Sequence, residues 1–216
     1  MNSYWDNCVL KLQLQATDNS MMEIQSLFPT LVGITQANQA TIDEIAQEVL
    51  MQKEALEAML SRTWGDNVLT SFEKEKNLFV AVKLHALRSF VEKSIFEFVR
   101  TTRANANLVI DEAYTQSWVN VTRQFGFQER HNHERGSVGL PISGAYYFAT
   151  NGQDGELAIF PTDMQAKFFG NYVIEPQVGK LVLFRSEVFH RVSPNLTQSD
   201  RISFSFNYTL TNATAT

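Results

Sequence analysis

The sequence predicts an α+β domain in which helices from the first half brace a barrel or sandwich of short strands from the second. Two helical periodicities lie before residue 105, and from Leu108 onward short runs of alternating apolar and polar residues replace them. Turn signals such as Asn151-Gly152 and Asp154-Gly155 punctuate those runs. A chain of 216 residues, 44% hydrophobic and 19% charged, can close one substantial core. The expected organisation is a single domain over 1–216, with 1–105 as a strand and helical support and 106–210 as the strand-built core.

Residues 21–34 read as an early strand interrupted at Pro29, which has no N–H for a ladder. Thr41-x-x-Glu44 has the spacing of a capping box and opens a helix from about Ile42 to Leu60. Ile42, Ile45, Ala46, Val49, Leu56 and Leu60 recur there at helical spacing. Gly65-Asp66-Asn67 marks a turn. A second helix is expected from about Lys76 to Arg100, with Leu78, Val82, Leu87, Val91, Ile95 and Phe98 as its buried stripe. His85 lies in it with no partner at i+3 or i+4, which fits an ordinary helix histidine better than a ligand. Strands follow at about 113–123, 127–132, 142–149, 156–160, 180–184, 191–194 and 201–209, and the threonine- and alanine-rich end, 209–216, reads as a frayed tail.

Composition excludes several function classes. The net charge of −5 and the lack of a basic run argue against a nucleic-acid-binding arm. Cys8 is the single cysteine, so an intramolecular disulfide and a thiolate-rich metal site are both excluded. The N-terminus has no basic start followed by an apolar core, and no stretch approaches the roughly 18 apolar residues of a membrane helix. A reducing cytoplasm is the expected compartment. Asn120, Asn195, Asn207 and Asn212 stand in Asn-X-Thr sequons, which in that compartment are chance matches. The N-terminal helices can either cover the sheet or form a dimer surface.

The residues that point to chemistry are His131, His133, His190 and Arg201. On an extended strand the two-residue period puts His131 and His133 on one face, where a third histidine brought in by the fold completes a facial set around a divalent metal. Imidazole suits iron, zinc, copper and nickel alike, so the ligands do not name the ion. Arg201 opens Arg-Ile-Ser-Phe-Ser-Phe-Asn (201–207). Alternation there sets Arg201, Ser203, Ser205 and Asn207 against Ile202, Phe204, Phe206 and Tyr208. The polar face lines either a wet cavity or solvent on a half-exposed strand. Tyr146 and Tyr147 likewise go to opposite faces, and Trp118 and Asn120 share one, for ligand contact or for packing.

Several blocks in order carry a family resemblance: Ser-Trp-Val-Asn-Val (117–121), His-Asn-His (131–133), Ile-Ser-Gly-Ala-Tyr-Tyr-Phe (142–148), Gly-Glu-Leu-Ala-Ile-Phe-Pro (155–161), Gly-Lys-Leu-Val-Leu-Phe-Arg-Ser-Glu-Val-Phe-His-Arg-Val (179–192) and the strand from Arg201. Leu27-Phe28-Pro29-Thr30 is a fainter echo near the start. The chain over about 113–210 resembles the 2-oxoglutarate- and Fe(II)-dependent oxygenases, in their prolyl-hydroxylase-like branch, and within it the oxygenases of tailed phages and some bacteria. That resemblance implies a double-stranded β-helix, or jelly roll, with the N-terminal helices on one sheet, working in the cytoplasm of a phage host or a bacterium. It makes His131 and His190 iron ligands and Arg201 the partner of the distal 2-oxoglutarate carboxylate, which a planar guanidinium grips through two parallel bonds. Tyr147 becomes a donor to the same carboxylate and Asn207 a residue beside Arg201 near metal or substrate. Asn120, from its strand face beside Trp118, is a further candidate co-substrate contact.

The family places a carboxylate two residues after the first histidine, and this chain has His133 there. The first reading is a three-histidine iron site. Alternatives draw a carboxylate from Glu129 or Glu134, or leave a coordination position open. The implied reaction couples decarboxylation of 2-oxoglutarate to hydroxylation of a substrate C–H bond by dioxygen, with a protein or peptide side chain such as proline as a first substrate. The competing functions are a cupin-like three-histidine dioxygenase without 2-oxoglutarate and a noncatalytic or virion-associated jelly-roll module. Loops at 134–141, 150–155 and 161–176 are expected to shape the entrance, with Phe168, Phe169 and Tyr172 as candidate substrate contacts.

Overall fold

The computed structural model describes residues 30–63, 67–102, 107–133, 139–161 and 170–213. The segment 21–29 of the expected early strand, with Pro29, lies outside the described residues, and the strand that follows is β1 (Val32–Gln36). The first helix begins earlier than the capping box predicts. Asn38 caps α1 (Gln39–Met51), its side chain accepting from the Thr41 N–H at 2.9 Å, so Thr41 sits inside the first turn. Asparagine is among the strongest caps, and here it precedes the threonine that sequence spacing favoured. The expected single helix breaks at Gln52, and α2 (Lys53–Met59) continues it.

The second expected helix also divides. α3 (Leu78–Ala81) stops at Val82, which is extended, and α4 (His85–Thr102) begins three residues later. The Glu48 carboxylate of α1 accepts from the Ala86 N–H through both oxygens at 2.9 Å. A carboxylate at a helix N-terminus satisfies an orphan donor and suits the dipole. Because Glu48 is 38 residues away in sequence, local periodicity could not reveal this start. His85 is exposed at the first position of α4.

Strands β2 (Ser61–Thr63) and β3 (Val68–Thr70) pair antiparallel, and the sequence reading predicted neither; of the expected turn between them, Gly65 and Asp66 lie outside the described residues. The remaining strands are β4 (Leu108–Ile110), β5 (Gln116–Thr122), β6 (Gln128–His131), β7 (Leu140–Ala149), β8 (Leu157–Ile159), β9 (Tyr172–Ile174), β10 (Lys180–Arg185), β11 (His190–Val192) and β12 (Arg201–Asn212). The larger sheet runs β1-β10-β7-β12-β5-β3-β2, with β4 on β12, and the smaller runs β6-β11-β8-β9. All named strand pairs are antiparallel, the two-sheet arrangement of a double-stranded β-helix. Of the tail expected to fray from Thr209, residues to Asn212 instead stay paired, with Leu210 opposite Ile110 and Asn212 opposite Leu108, and 214–216 lie outside the described residues.

The helices cover one face of the larger sheet. Leu87, Val91 and Ile95 of α4 and Ile45 of α1 share a core with Tyr146, Leu181, Leu183, Phe204, Phe206 and Tyr208. Each such side chain contributes about 1.5–3 kcal/mol when fully buried. Tyr208 also donates to Glu92 Oε1 at 3.2 Å, tying β12 to α4. The opposite face packs Tyr147, Val182 and Phe184 against Leu157, Ile159 and Ile174 of the smaller sheet. Thus β12 is covered on both sides, and its polar residues face the space between sheets rather than solvent. No helix among the described residues is long and apolar enough to cross a membrane.

Candidate metal and co-substrate site

His131 and His190 end and begin adjacent strands and are register partners across the β6–β11 pair. On β6, three steps separate Gln128 from His131 where two separate their partners Val192 and His190. That extra residue is a β-bulge, which bends a strand and re-aims a side chain. It lets both Gln128 and His131 face the cavity despite their odd spacing. His133 lies just past the strand end, its main-chain N–H donating to Ser186 O at 2.8 Å. The simple two-residue alternation therefore does not apply as expected, yet the two rings do converge.

Ring centroids are 4.3 Å apart for His131–His190 and 5.0 Å for His133 with each of the others. One nitrogen from each ring lies within 4.8 Å of the others, and among the described residues this is the group of His, Cys, Asp or Glu side chains that can hold a metal. His131 Nδ1 stands 2.6 Å from Glu129 O, and His190 Nδ1 3.0 Å from Val188 O. A carbonyl can only accept, so each Nδ1 carries the proton and Nε2 carries the lone pair, the usual orientation of ligating histidines. Burial holds the His190 pKa down at about 4, helped by the neighbouring His131 and opposed by the Val188 carbonyl. His131 is lowered chiefly by burial as well. Both rings therefore stay neutral near pH 7, as metal binding requires. Glu129 is exposed and offers His131 its main-chain oxygen, and Glu134 lies outside the described residues.

A cavity of about 360 Å³ runs from these rings to Arg201. Arg201, Tyr147, Asn120, Trp118, Ser203 and Ser205 all line it, which decides the β12 alternation in favour of a cavity face. Arg201 is 2% exposed. Its Nη1 donates to Asp154 O at 2.6 Å and Gly155 O at 2.8 Å, and Nη2 to Thr122 Oγ1 at 3.3 Å. Its Nε has no hydrogen-bond partner among the described residues. Burial lowers its pKa, with Tyr147 and Asp154 opposing. A buried cation with an unpartnered donor beside a cavity fits an anionic ligand. Burial pushes the Tyr147 phenol up to about 12, so it remains a proton donor at neutral pH. Asn120 Nδ2 donates to Ser205 Oγ at 3.1 Å.

Asn207 shares the β12 face but does not line the cavity. It is six residues along the strand from Arg201, roughly 20 Å at strand rise. There its Oδ1 accepts from Ser143 Oγ at 2.7 Å, and Ser143 Oγ lies 2.7 Å from Ser186 Oγ. A shared strand face does not mean a shared site.

Phe72, Glu73 and Thr70, which the sequence reading missed, also line the cavity. The Ser71 hydroxyl accepts from Val119 N at 3.1 Å, while Ser71 N donates to Val119 O at 3.0 Å. This clamp sets the Phe72 ring against Trp118, edge to face with centroids 5.0 Å apart, and Trp118 in turn stands 5.7 Å from His133. A hairpin signal around Gly65-Asp66-Asn67, had the short flanking runs been read as strands, would have pointed to it. Of the expected entrance loops 134–141, 150–155 and 161–176, residues 134–138 and 162–169, with Phe168 and Phe169, lie outside the described residues. Tyr172 is exposed on β9, away from this cavity.

Residues 116–207 match the model of the family described as "Putative 2OG-Fe(II) oxygenase". No curated protein matches by sequence. Solved structures with the same fold include a Pseudomonas putida prolyl-4-hydroxylase, 15% identical with a TM-score of 0.59 over 83% of this chain and 92% of that one. A Trichoplax adhaerens prolyl hydroxylase in complex with a hypoxia-inducible-factor peptide is 17% identical, with a TM-score of 0.56 over 82% and 83%. HygX from Streptomyces hygroscopicus, with nickel and 2-oxoglutarate bound, is 11% identical, with a TM-score of 0.57 over 83% of each chain. The matched segment carries all three clustered histidines, Tyr147 and Arg201, so in that segment, as in its double-stranded β-helix, the chain is similar to the 2-oxoglutarate- and Fe(II)-dependent oxygenases.

Proposed function

We propose that the protein hydroxylates a C–H bond on a protein or peptide side chain, proline being the first candidate, with His131, His133 and His190 holding Fe(II). The observation that carries this reading is the convergence of three imidazoles and one buried, unsaturated guanidinium on a single cavity. Arg201 and Tyr147 bind the distal carboxylate of 2-oxoglutarate, and Asn120 borders its path to the histidines. When bound, iron and 2-oxoglutarate supply the oxidising power from dioxygen, with succinate and carbon dioxide as by-products. The chain itself orients and encloses. Glu129 and Val188 carbonyls fix two imidazole tautomers, the Ser186 carbonyl anchors the backbone of the third, and the two sheets exclude water. Phe72 and Trp118 form an aromatic wall against which a pyrrolidine ring can pack, and the two prolyl hydroxylases of like fold support that substrate class.

An imidazole in place of the usual carboxylate leaves the site one unit more positive, which favours a dianionic co-substrate. The test is anaerobic addition of Fe(II) and then 2-oxoglutarate to metal-free protein, following the visible charge-transfer band of the chelate. The band is expected in the wild type, weakened in Arg201→Ala and altered in His133→Ala. A band indifferent to Arg201→Ala sinks the carboxylate assignment. Stoichiometric iron binding without any band turns the reading toward a three-histidine dioxygenase that needs no 2-oxoglutarate.

A further inference from the structure

Behind Arg201 lies a second buried charge for which the reading above has no use. Asp154 is fully buried and does not line the cavity. Its carboxylate accepts from the Thr150 hydroxyl at 2.6 Å and from the Asn151 N–H at 2.9 Å, while Gly152 N donates to Thr150 Oγ1 at 3.0 Å. These bonds curl residues 150–155 into a turn closed on its own carboxylate. The turn aims two consecutive carbonyls, of Asp154 and Gly155, at one nitrogen, Arg201 Nη1. Gly155 has a φ of +105°, and a Cβ there would stand 2.3 Å from Ser193 O and 2.7 Å from Arg201 Nη1. A side chain fits neither the backbone angle nor the space.

We propose that Asp154 is a positioning residue for the co-substrate arginine: its carboxylate folds the 150–155 turn so that two carbonyls hold Nη1 and leave the Nε–Nη2 edge for a ligand carboxylate. The inference rests on the reading of Arg201 as the 2-oxoglutarate anchor. A guanidinium offers its edges in a fixed fork, so pinning one nitrogen selects which edge remains. Nε is the atom without a partner, and Nη2 makes the long 3.3 Å contact, so the open edge is the one opposite the pinned nitrogen. The Asp154 charge also repels an incoming anion. Both its oxygens, however, are turned onto the Thr150 hydroxyl and the Asn151 amide, away from the cavity, and the aim of the cation dominates.

The experiment compares wild type, Asp154→Asn and Thr150→Val. Asparagine keeps the shape but replaces one accepting oxygen with a donor, whereas valine removes the hydroxyl that donates to Asp154 and accepts from Gly152 N, and leaves the carboxylate. Two quantities are read: the dissociation constant of 2-oxoglutarate from the Fe(II)-loaded protein, and the rate at which phenylglyoxal modifies Arg201 in the metal-free protein, with Arg88 as internal control. Asp154→Asn is expected to weaken 2-oxoglutarate on the order of tenfold or more, as loss of a supporting shell typically does, with iron stoichiometry unchanged. Arg201 is expected to label faster while Arg88 does not, and Thr150→Val to fall between. Binding within twofold of wild type in Asp154→Asn overturns the proposal while leaving Arg201 as anchor. If even the wild type fails to bind 2-oxoglutarate, the anchor reading falls, and unchanged Arg201 labelling then overturns the turn-and-cradle assignment as well. Equal acceleration at Arg201 and Arg88 reports general loosening and also overturns it.

Discussion

His190 and His131 face each other directly across two antiparallel strands, their rings 4.3 Å apart, although 58 residues of chain separate them. His133 reaches the same point from beyond the strand end.

Iron affinity should therefore divide the three histidines. His131→Ala and His190→Ala each remove a ring whose tautomer is fixed by a main-chain carbonyl. Both are expected to lower Fe(II) affinity by far more than the roughly 10–100-fold that supporting residues cost. His133→Asp, which restores a carboxylate at that position, should retain iron, and His133→Ala should lose at least tenfold. Competition with a chromophoric chelator measures all four, and unchanged affinity in His133→Ala removes it from the ligand set.

The metal-free protein should gain stability as pH rises from about 4 to 6.5. The His190 pKa is pushed down to about 4 by burial, while the unfolded chain titrates near the ordinary value of 6.5. Between those values the unfolded state binds more protons, so stability climbs with pH and levels off above 6.5. The contribution is on the order of 3 kcal/mol. Urea melts of chelator-treated protein across this range, with His190→Gln alongside, test it. An identical pH slope in the variant refutes the assignment to His190.

Asn207→Ala should cost stability and spare the co-substrate. Its carbonyl ends a buried run through Ser143 to Ser186, the residue whose main-chain oxygen holds the His133 N–H. Leaving Ser143 without that acceptor costs roughly 1–3 kcal/mol. Unfolding midpoints should fall while 2-oxoglutarate binding stays within twofold of wild type. A selective loss of co-substrate binding would return Asn207 to the site.

Gly144→Ala should damage both core and cavity. A Cβ there would lie 2.4 Å from Val182 O and 2.6 Å from the Phe206 ring, where backbone and an inflexible buried side chain cannot yield. Overpacking of this kind costs roughly 1–3 kcal/mol. Thermal melts giving a wild-type midpoint would show that β7 and β10 can separate more easily than this packing implies.

Much of this protein was legible before folding was considered. Alternation along 201–207 separates Arg201, Ser203 and Ser205 from Phe204 and Phe206, because a strand has a period of two and the two faces meet different media. The same rule parted Tyr146 from Tyr147, and block order from Trp118 to Arg201 carried the family. Where the rule failed, a non-local contact had won. Glu48 starts α4 from another helix, and a β-bulge breaks the count between Gln128 and His131. Asn207 keeps the right face but stands too far along it. The sequence by itself determined which residues are apolar, which face of each strand they take, and that three imidazoles and one guanidinium are at hand. The tertiary structure alone decided that His190 meets His131, that Phe72 and Glu73 border the cavity, and that a turn around Asp154 grips Arg201. Those outcomes depend on strand pairing and buried hydrogen bonds between segments tens of residues apart, and no local period encodes them.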